Sequence, residues 1–186
     1  MIVSLIGLPG SGKSTVGRQL ARRLQLPFFD SDRLIEERLG CSIREFFESE
    51  GEQRFRDIET AVIDELTQQP EGVLSTGGGA VLRPENRSHL QQRTRVVYLN
   101  SSPDELFRRL RHDKNRPLLQ VADPLSRMRE LYDQRHPLYQ QTAHCTVETG
   151  RPSVSALVRS IMQRLGLKDA APQTALPQAN PLNSGA

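Results

Sequence analysis

Two cysteines in 186 residues are too few for a disulfide framework, and Cys41 and Cys145 read as buried or half-buried thiols of a reducing cytosol. No run of 18 or more apolar residues occurs, so no membrane span is expected. The four histidines, His89, His112, His136 and His144, do not cluster at metal-ligand spacing, which argues against a zinc site. The first expected strand begins at Ile2, leaving no room for a signal peptide. Neither sign of charge dominates: 25 Lys and Arg stand against 22 Asp and Glu, a net charge of +3. So small an excess does not call for nucleic acid, and the arginines are scattered rather than gathered in one stripe. The stretch 168–186 lacks aromatics, is poor in charge and carries three prolines, so it reads as a disordered extension. The remainder, 1–167, suffices for one domain with a sizeable core.

Against these absences stands Gly7-Leu8-Pro9-Gly10-Ser11-Gly12-Lys13-Ser14-Thr15. It fits the phosphate-loop pattern of glycine, any four residues, then Gly-Lys-Ser/Thr. Ile2-Val3-Ser4-Leu5-Ile6 before it is short, apolar and β-branched, as in a buried parallel strand. After it, Val16, Leu20 and Leu24 recur at helical spacing from Ser14 to Gln25. Strand, glycine loop and helix together predict a nucleoside triphosphate site, with Gly10, Ser11, Gly12, Lys13, Ser14 and Thr15 around the phosphates. Loop N–H groups and the positive end of the helix would face the anion. Lys13 supplies a full charge toward the terminal phosphates, and the Ser14 hydroxyl is a candidate Mg²⁺ ligand.

Further strands are expected at Phe28–Asp30, Val73–Ser75, Val96–Leu99 and Cys145–Val147, with helices between them. This alternation predicts three α/β/α layers around a five-stranded parallel sheet. Asp30 and Asp32 follow the second strand on the rim of the phosphate loop, where ligands bind in open parallel sheets. Either acid also suits the start of a helix, for which Ser31 is a plausible cap. The third strand lacks the aspartate usual at its end in many phosphate-loop ATPases, and Asp30 is the substitute that would organise Mg²⁺ through water. Gly77-Gly78-Gly79 follows that strand and suggests backbone N–H groups offered to a ligand. Arg56 and Glu59, taken alone, read as a surface ion pair at helical spacing. The polar segment around 112–122 reads either as a solvated face or as a loop that closes over a site, with Arg116 near its tip able to reach a transferring phosphoryl group.

The gathered residues resemble the shikimate kinase family. Gly-Leu-Pro-Gly-Ser-Gly-Lys-Ser-Thr, Phe-Asp-Ser-Asp, Phe-Arg-Asp-Ile-Glu, Ser-Thr-Gly-Gly-Gly, Arg-Pro-Leu-Leu and Arg-His-Pro-Leu-Tyr occur in this order between Met1 and Leu165. The resemblance implies a P-loop small-molecule kinase fold with a lid at about 112–122. It implies transfer of the ATP γ-phosphoryl group to the 3-hydroxyl of shikimate. It makes Asp32 the base, Arg56 and Arg135 the grip on the substrate carboxylate, and Gly77, Gly78 and Gly79 the loop facing the ring. Lys13 and Arg116 then stabilise the moving phosphoryl group, and Ser14 and Asp30 hold Mg²⁺, Asp30 behind water. Arg109 and Arg151 approach the adenine. Leu110 departs from the family, which often has threonine there, and the proline-rich tail lies outside the family pattern.

Chemistry agrees with the resemblance: paired guanidinium groups suit a carboxylate and an aspartate suits a hydroxyl that must lose its proton. A cytoplasmic monomer acting on ATP and shikimate, without nucleic acid or membrane, is expected. Two rivals are another small-metabolite kinase of this fold, such as a gluconate kinase, and a non-catalytic nucleotide-binding regulator.

Overall fold

The computed structural model describes residues 1–111 and 121–170. Its elements run β1 (Ile2–Ile6), α1 (Lys13–Leu24), β2 (Phe28–Asp30), α2 (Ser31–Leu39), α3 (Ile43–Glu50), α4 (Glu52–Thr67), β3 (Gly72–Ser75), α5 (Pro84–Arg93), β4 (Arg95–Asn100), α6 (Pro103–Leu110), α7 (Pro124–Thr142), β5 (Cys145–Glu148) and α8 (Val154–Leu165). The five strands are parallel, in the order β2-β3-β1-β4-β5. The expected sheet is therefore present, with β3, β4 and β5 each extended by a residue or two.

Side-chain alternation sends β1, β3 and β4 into two cores. Ile2 and Ile6 of β1, Leu74 of β3, and Val96 and Tyr98 of β4 pack with Ile35, Phe55, Val62, Leu106, Leu131 and Tyr139 from α2, α4, α6 and α7. Val3 and Leu5 of β1, Val73 of β3, and Val97 and Leu99 of β4 pack on the other face against Val16, Leu20, Leu157 and Ile161 of α1 and α8. Both faces of β1 are covered, which is why it reads as an unbroken apolar run. Because β1 is central and its neighbours β3 and β4 lie on opposite sides, the loop after it opens at the switch point of the sheet, where ligands bind in such folds.

Helix starts follow the caps written in the chain. Ser42 and Glu45 form a reciprocal capping box at α3, while Ser102 and Ser153 cap α6 and α8. At α2 the cap is Asp30, whose Oδ1 accepts from Arg33 N at 3.2 Å, and not Ser31 as the sequence suggested. Ser31 is instead buried at the first helical position, where its hydroxyl accepts from Gly77 N at 3.1 Å. Helix α7 continues through Pro137 to Thr142. Beyond Leu167, Asp169 pairs with Arg23 at 2.7 Å and Ala170 N donates to Arg23 O at 3.1 Å, fastening residues just past the expected domain end to α1. Cys41 and Cys145 are free, half-buried thiols. Among the described residues no helix is long and apolar enough to cross a membrane, and no group of three or more His, Cys, Asp or Glu could hold a metal.

Candidate active site

The loop between β1 and α1 is a compact turn. Ser11 N donates to Leu8 O at 3.2 Å, and Gly12 caps α1 with φ 91°, a left-handed conformation that a glycine adopts without strain. Lys13 is largely buried, and its Nζ donates to Gly7 O at 2.8 Å and Leu8 O at 2.9 Å. Its charge is thus folded over the loop rather than extended into solvent. Leu110 leans on this loop: a Cβ added to Gly10 would lie 2.8 Å from the Leu110 side chain. Thr15 is exposed beside it.

At the next strand end, Ser14 Oγ donates to Asp30 Oδ2 at 2.7 Å and lies 3.3 Å from Ser75 Oγ. One carboxylate and two hydroxyls converge there, a set of hard oxygen donors that suits Mg²⁺, which favours few protein ligands and retains its waters. Ser75 ends β3 where an aspartate is usual in phosphate-loop ATPases, and its hydroxyl joins this group.

The glycine triplet brings the remaining predicted groups together. None of the three has a positive φ, so conformational freedom is not the reason for glycine here. Space is. A Cβ at Gly77 would stand 2.5 Å from Asp32 Oδ1. One at Gly78 would stand 2.7 Å from Pro9 Cδ and 3.3 Å from an Arg135 guanidinium nitrogen. One at Gly79 would stand 2.6 Å from the Arg56 guanidinium carbon. Side chains from α2, the phosphate loop, α7 and α4 therefore all pack against one bare turn. That turn is itself held. Gly77 N is taken by Ser31 Oγ, and Gly78 O accepts from the Tyr139 hydroxyl at 2.6 Å. Ala80 N and Leu82 N close successive turns onto Gly77 O and Gly79 O.

Arg56 differs from its expected surface pair. Its guanidinium donates to Glu59 Oε1 at 2.8 Å, and the two side chains are only 11% and 1% exposed. It also lies over the rings of Phe55 and Phe47, 5.2 and 5.9 Å from their centroids. Burial pushes the Glu59 carboxyl upward, and Arg56, with weaker help from Arg135 and Arg83, pulls it back. The sequence carried a signal for this: Phe55, Glu59, Val62, Ile63 and Leu66 form the buried stripe of α4, and Glu59 lies on it. The same holds for α7, where Arg135 falls between Leu131 and Tyr139 on the stripe begun by Met128. Ser31 and Glu59, expected as a helix cap and a surface partner, support the site instead, as do Ser75 and Tyr139, to which motif reading assigned no role.

Asp32 is half-buried in a negative neighbourhood. Burial, then the charges of Glu59 and Asp30, raise its pKa from 3.8 to about 6, against the pull of Lys13. Such a group is ionised at neutral pH yet a far better proton acceptor than an ordinary aspartate.

Arg109 reaches the phosphate loop from α6: its guanidinium donates to Gly10 O at 3.1 Å, Thr149 O at 3.3 Å and Glu105 Oε1 at 2.6 Å. Arg151 is exposed in the adjoining turn after β5. Arg116 and most of the expected lid lie outside the described residues.

Comparison with known proteins agrees in sequence and in structure. The family model described as shikimate kinase matches residues 9–166. A shikimate kinase of Paracidovorax citrulli is 59% identical over 168 residues, covering 89% of this chain and 92% of its own. One from Ralstonia nicotianae is 55% identical over 163 residues, covering 88% and 86%. The solved shikimate kinase of Acinetobacter baumannii in complex with shikimate superposes with a TM-score of 0.85 at 45% identity, covering 88% of this chain and 92% of that one.

Proposed function

The chain belongs to the shikimate kinase family, and from that membership we infer how its own residues move the ATP γ-phosphoryl group to the 3-hydroxyl of shikimate, giving shikimate 3-phosphate and ADP. This is a step on the route to chorismate and the aromatic amino acids. Family membership also decides between kinases that the fold alone leaves open, so the gluconate kinase reading falls away.

The phosphates of ATP lie in the loop Gly10–Thr15, against its N–H groups and the start of α1, with Lys13 exchanging its carbonyl partners for phosphate oxygens. Arg109 and Arg151 flank the adenine. Ser14 and Asp30 would hold Mg²⁺, which when bound would neutralise charge on the phosphates. On the acceptor side Arg56 and Arg135 grip the shikimate carboxylate through paired charged hydrogen bonds. Gly78 and Gly79 offer backbone to the ring, since the N–H of Gly77 is already used by Ser31. Asp32 accepts the proton of the 3-hydroxyl as its oxygen attacks the γ-phosphorus. The β–γ bridging oxygen leaves with ADP, and Arg116 stabilises the transferring group from the lid. Most of the rate comes from positioning and charge stabilisation.

The observation that carries this reading is the bare glycine turn: it sets Asp32, Arg56 and Arg135 around one point that also touches Pro9 of the phosphate loop. The working protein is a cytoplasmic monomer whose domain, 1–167 with the lid at 112–122, needs neither membrane nor nucleic acid. The test is ADP release by the purified protein with MgATP and shikimate, gluconate or a nucleoside monophosphate. Turnover with shikimate alone is expected. Turnover with gluconate and none with shikimate would overturn the assignment.

A further inference from the structure

One buried hydroxyl joins two parts of the acceptor site that motif reading treats separately. Tyr139 has no exposed surface, and its O–H donates to the carbonyl of Gly78 at 2.6 Å. One turn earlier on the same helix, the Arg135 guanidinium lies against Gly78, 3.3 Å from where a Cβ on that glycine would stand, and its charge acts on the phenol. The ring is locked from behind. It stacks on Tyr98 with centroids 4.9 Å apart. Tyr98 is fixed in turn by hydrogen bonds from its hydroxyl to Asn100 Oδ1 at 2.9 Å and with His136 Nδ1 at 2.8 Å. Asn100 is tied onward to Glu148 of β5 at 2.9 Å. The phenol thus sits at the end of a brace that runs from α7 through β4 to β5.

We propose that Tyr139 is a positioning residue for shikimate, its hydroxyl holding the Gly78 peptide and the Arg135 guanidinium in register with each other. In a trans peptide the C=O of one residue and the N–H of the next point in opposite directions. Anchoring Gly78 O on Tyr139 therefore aims the Gly79 N–H away from α7. The Arg135 guanidinium packs against the glycine so anchored, which limits where it can swing. Shikimate meets both groups already oriented, which lowers the entropic cost of binding. ATP touches neither. The proposal rests on the assignment of Arg135 and the glycine turn to shikimate.

Replacing one oxygen tests it. Tyr139→Phe keeps the ring and its stack, and a cooperative melt shifted by MgADP as in the wild type verifies the fold. The expected result is a shikimate KM raised about tenfold, the upper end for one lost neutral hydrogen bond, with kcat less affected and the ATP KM within about twofold. Tyr98→Phe removes the bonds to Asn100 and His136 but leaves Gly78 untouched, so it is expected to lower the melting temperature and leave the shikimate KM nearly unchanged. A shikimate KM unmoved by Tyr139→Phe, or an equal rise for ATP, overturns the proposal. A second measurement needs no variant at position 139. The chain has three tyrosines, so wild-type protein labelled at the tyrosine ζ-carbon gives three signals, and Tyr98→Phe and Tyr132→Phe assign Tyr139 by elimination. That signal is expected to move with shikimate and not with MgADP; indifference to shikimate refutes the role. Failure of the wild type to turn over shikimate at all would instead refute the assigned function, a distinct result.

Discussion

The two halves proposed for this site are built in opposite ways. The donor half is one stretch, Gly7 to Thr15, whose turn, lysine and helix start are consecutive. The acceptor half takes Asp32 from α2, Arg56 from α4, Gly77 to Gly79 after β3 and Arg135 from α7, and depends on a turn without side chains to bring them together. The first is local backbone chemistry that any strand–loop–helix unit can carry. The second exists only once the sheet and its helices have packed. Damage to the donor half should therefore strike phosphoryl transfer whatever the acceptor, while damage to the acceptor half should discriminate between the two substrates.

The largest expected effect is on the donor side. Lys13→Met removes the full charge of the loop, and kcat should fall on the order of 10³-fold, the scale of a lost charge on a transferring phosphoryl group. Shikimate affinity, measured by calorimetry, should change by less than about threefold. A loss of shikimate binding as large as the loss of turnover would erase the distinction between the halves. On the acceptor side, Asp32→Asn should lower kcat on the order of 10²-fold or more while nucleotide affinity stays within about threefold. Unchanged turnover would remove Asp32 from proton transfer. Arg135→Ala should raise the shikimate KM by about 10- to 100-fold, as expected for a lost charge-assisted pair, with the ATP KM nearly constant. Equal rises for both substrates would place Arg135 elsewhere.

The same contrast explains what the chain revealed before any coordinates. All five strands and the phosphate loop follow from neighbours within a few residues, and they stand where expected. What was misjudged depends on distant packing. Arg56 and Glu59 have the spacing of a surface pair, but the aromatic rings of α3 and α4 and the glycine turn cover them. Ser31 has the chemistry of a cap, but Gly77, 46 residues away, claims its hydroxyl. The triplet was expected to expose N–H groups, whereas its missing side chains matter as much as its backbone. Glu59 and Arg135 were nevertheless legible as polar residues set on apolar helix stripes. Such a residue has to find a buried partner or bind a ligand.

A smaller test separates space from backbone in that turn. Gly79→Ala puts a methyl where the Arg56 guanidinium lies, and the φ at this position is one alanine accepts. The arginine has a flexible stem and can yield, so stability should change little. The shikimate KM should rise about five- to tenfold, a fraction of the effect of losing a charged hydrogen bond outright. A variant that instead unfolds, with normal KM in the folded fraction, would make the glycine structural.

The last test probes the burial of charge in the acceptor half. Asp32 has its pKa raised from 3.8 to about 6 in the folded protein by burial and by Glu59 and Asp30. The proton is thus held more tightly folded than unfolded. Its contribution to stability is complete below the unfolded value of 3.8 and is lost as pH rises through about 6. At pH 8 the charged carboxylate opposes folding. Asp32→Asn, which cannot ionise, should therefore be more stable than the wild type at that pH by about 1–3 kcal/mol in urea unfolding. The gap should narrow as pH falls from 6 toward 4. Activity should run the other way, because the proposed base would work only when ionised: kcat/KM for shikimate should fall about tenfold per unit below an apparent pKa near 6. The stability gain and the acid limb would then report one group, since the burial and negative neighbours that raise its pKa are what would suit it to act as the base. A stability gap that did not vary with pH would separate the two and leave the acid limb to some other residue.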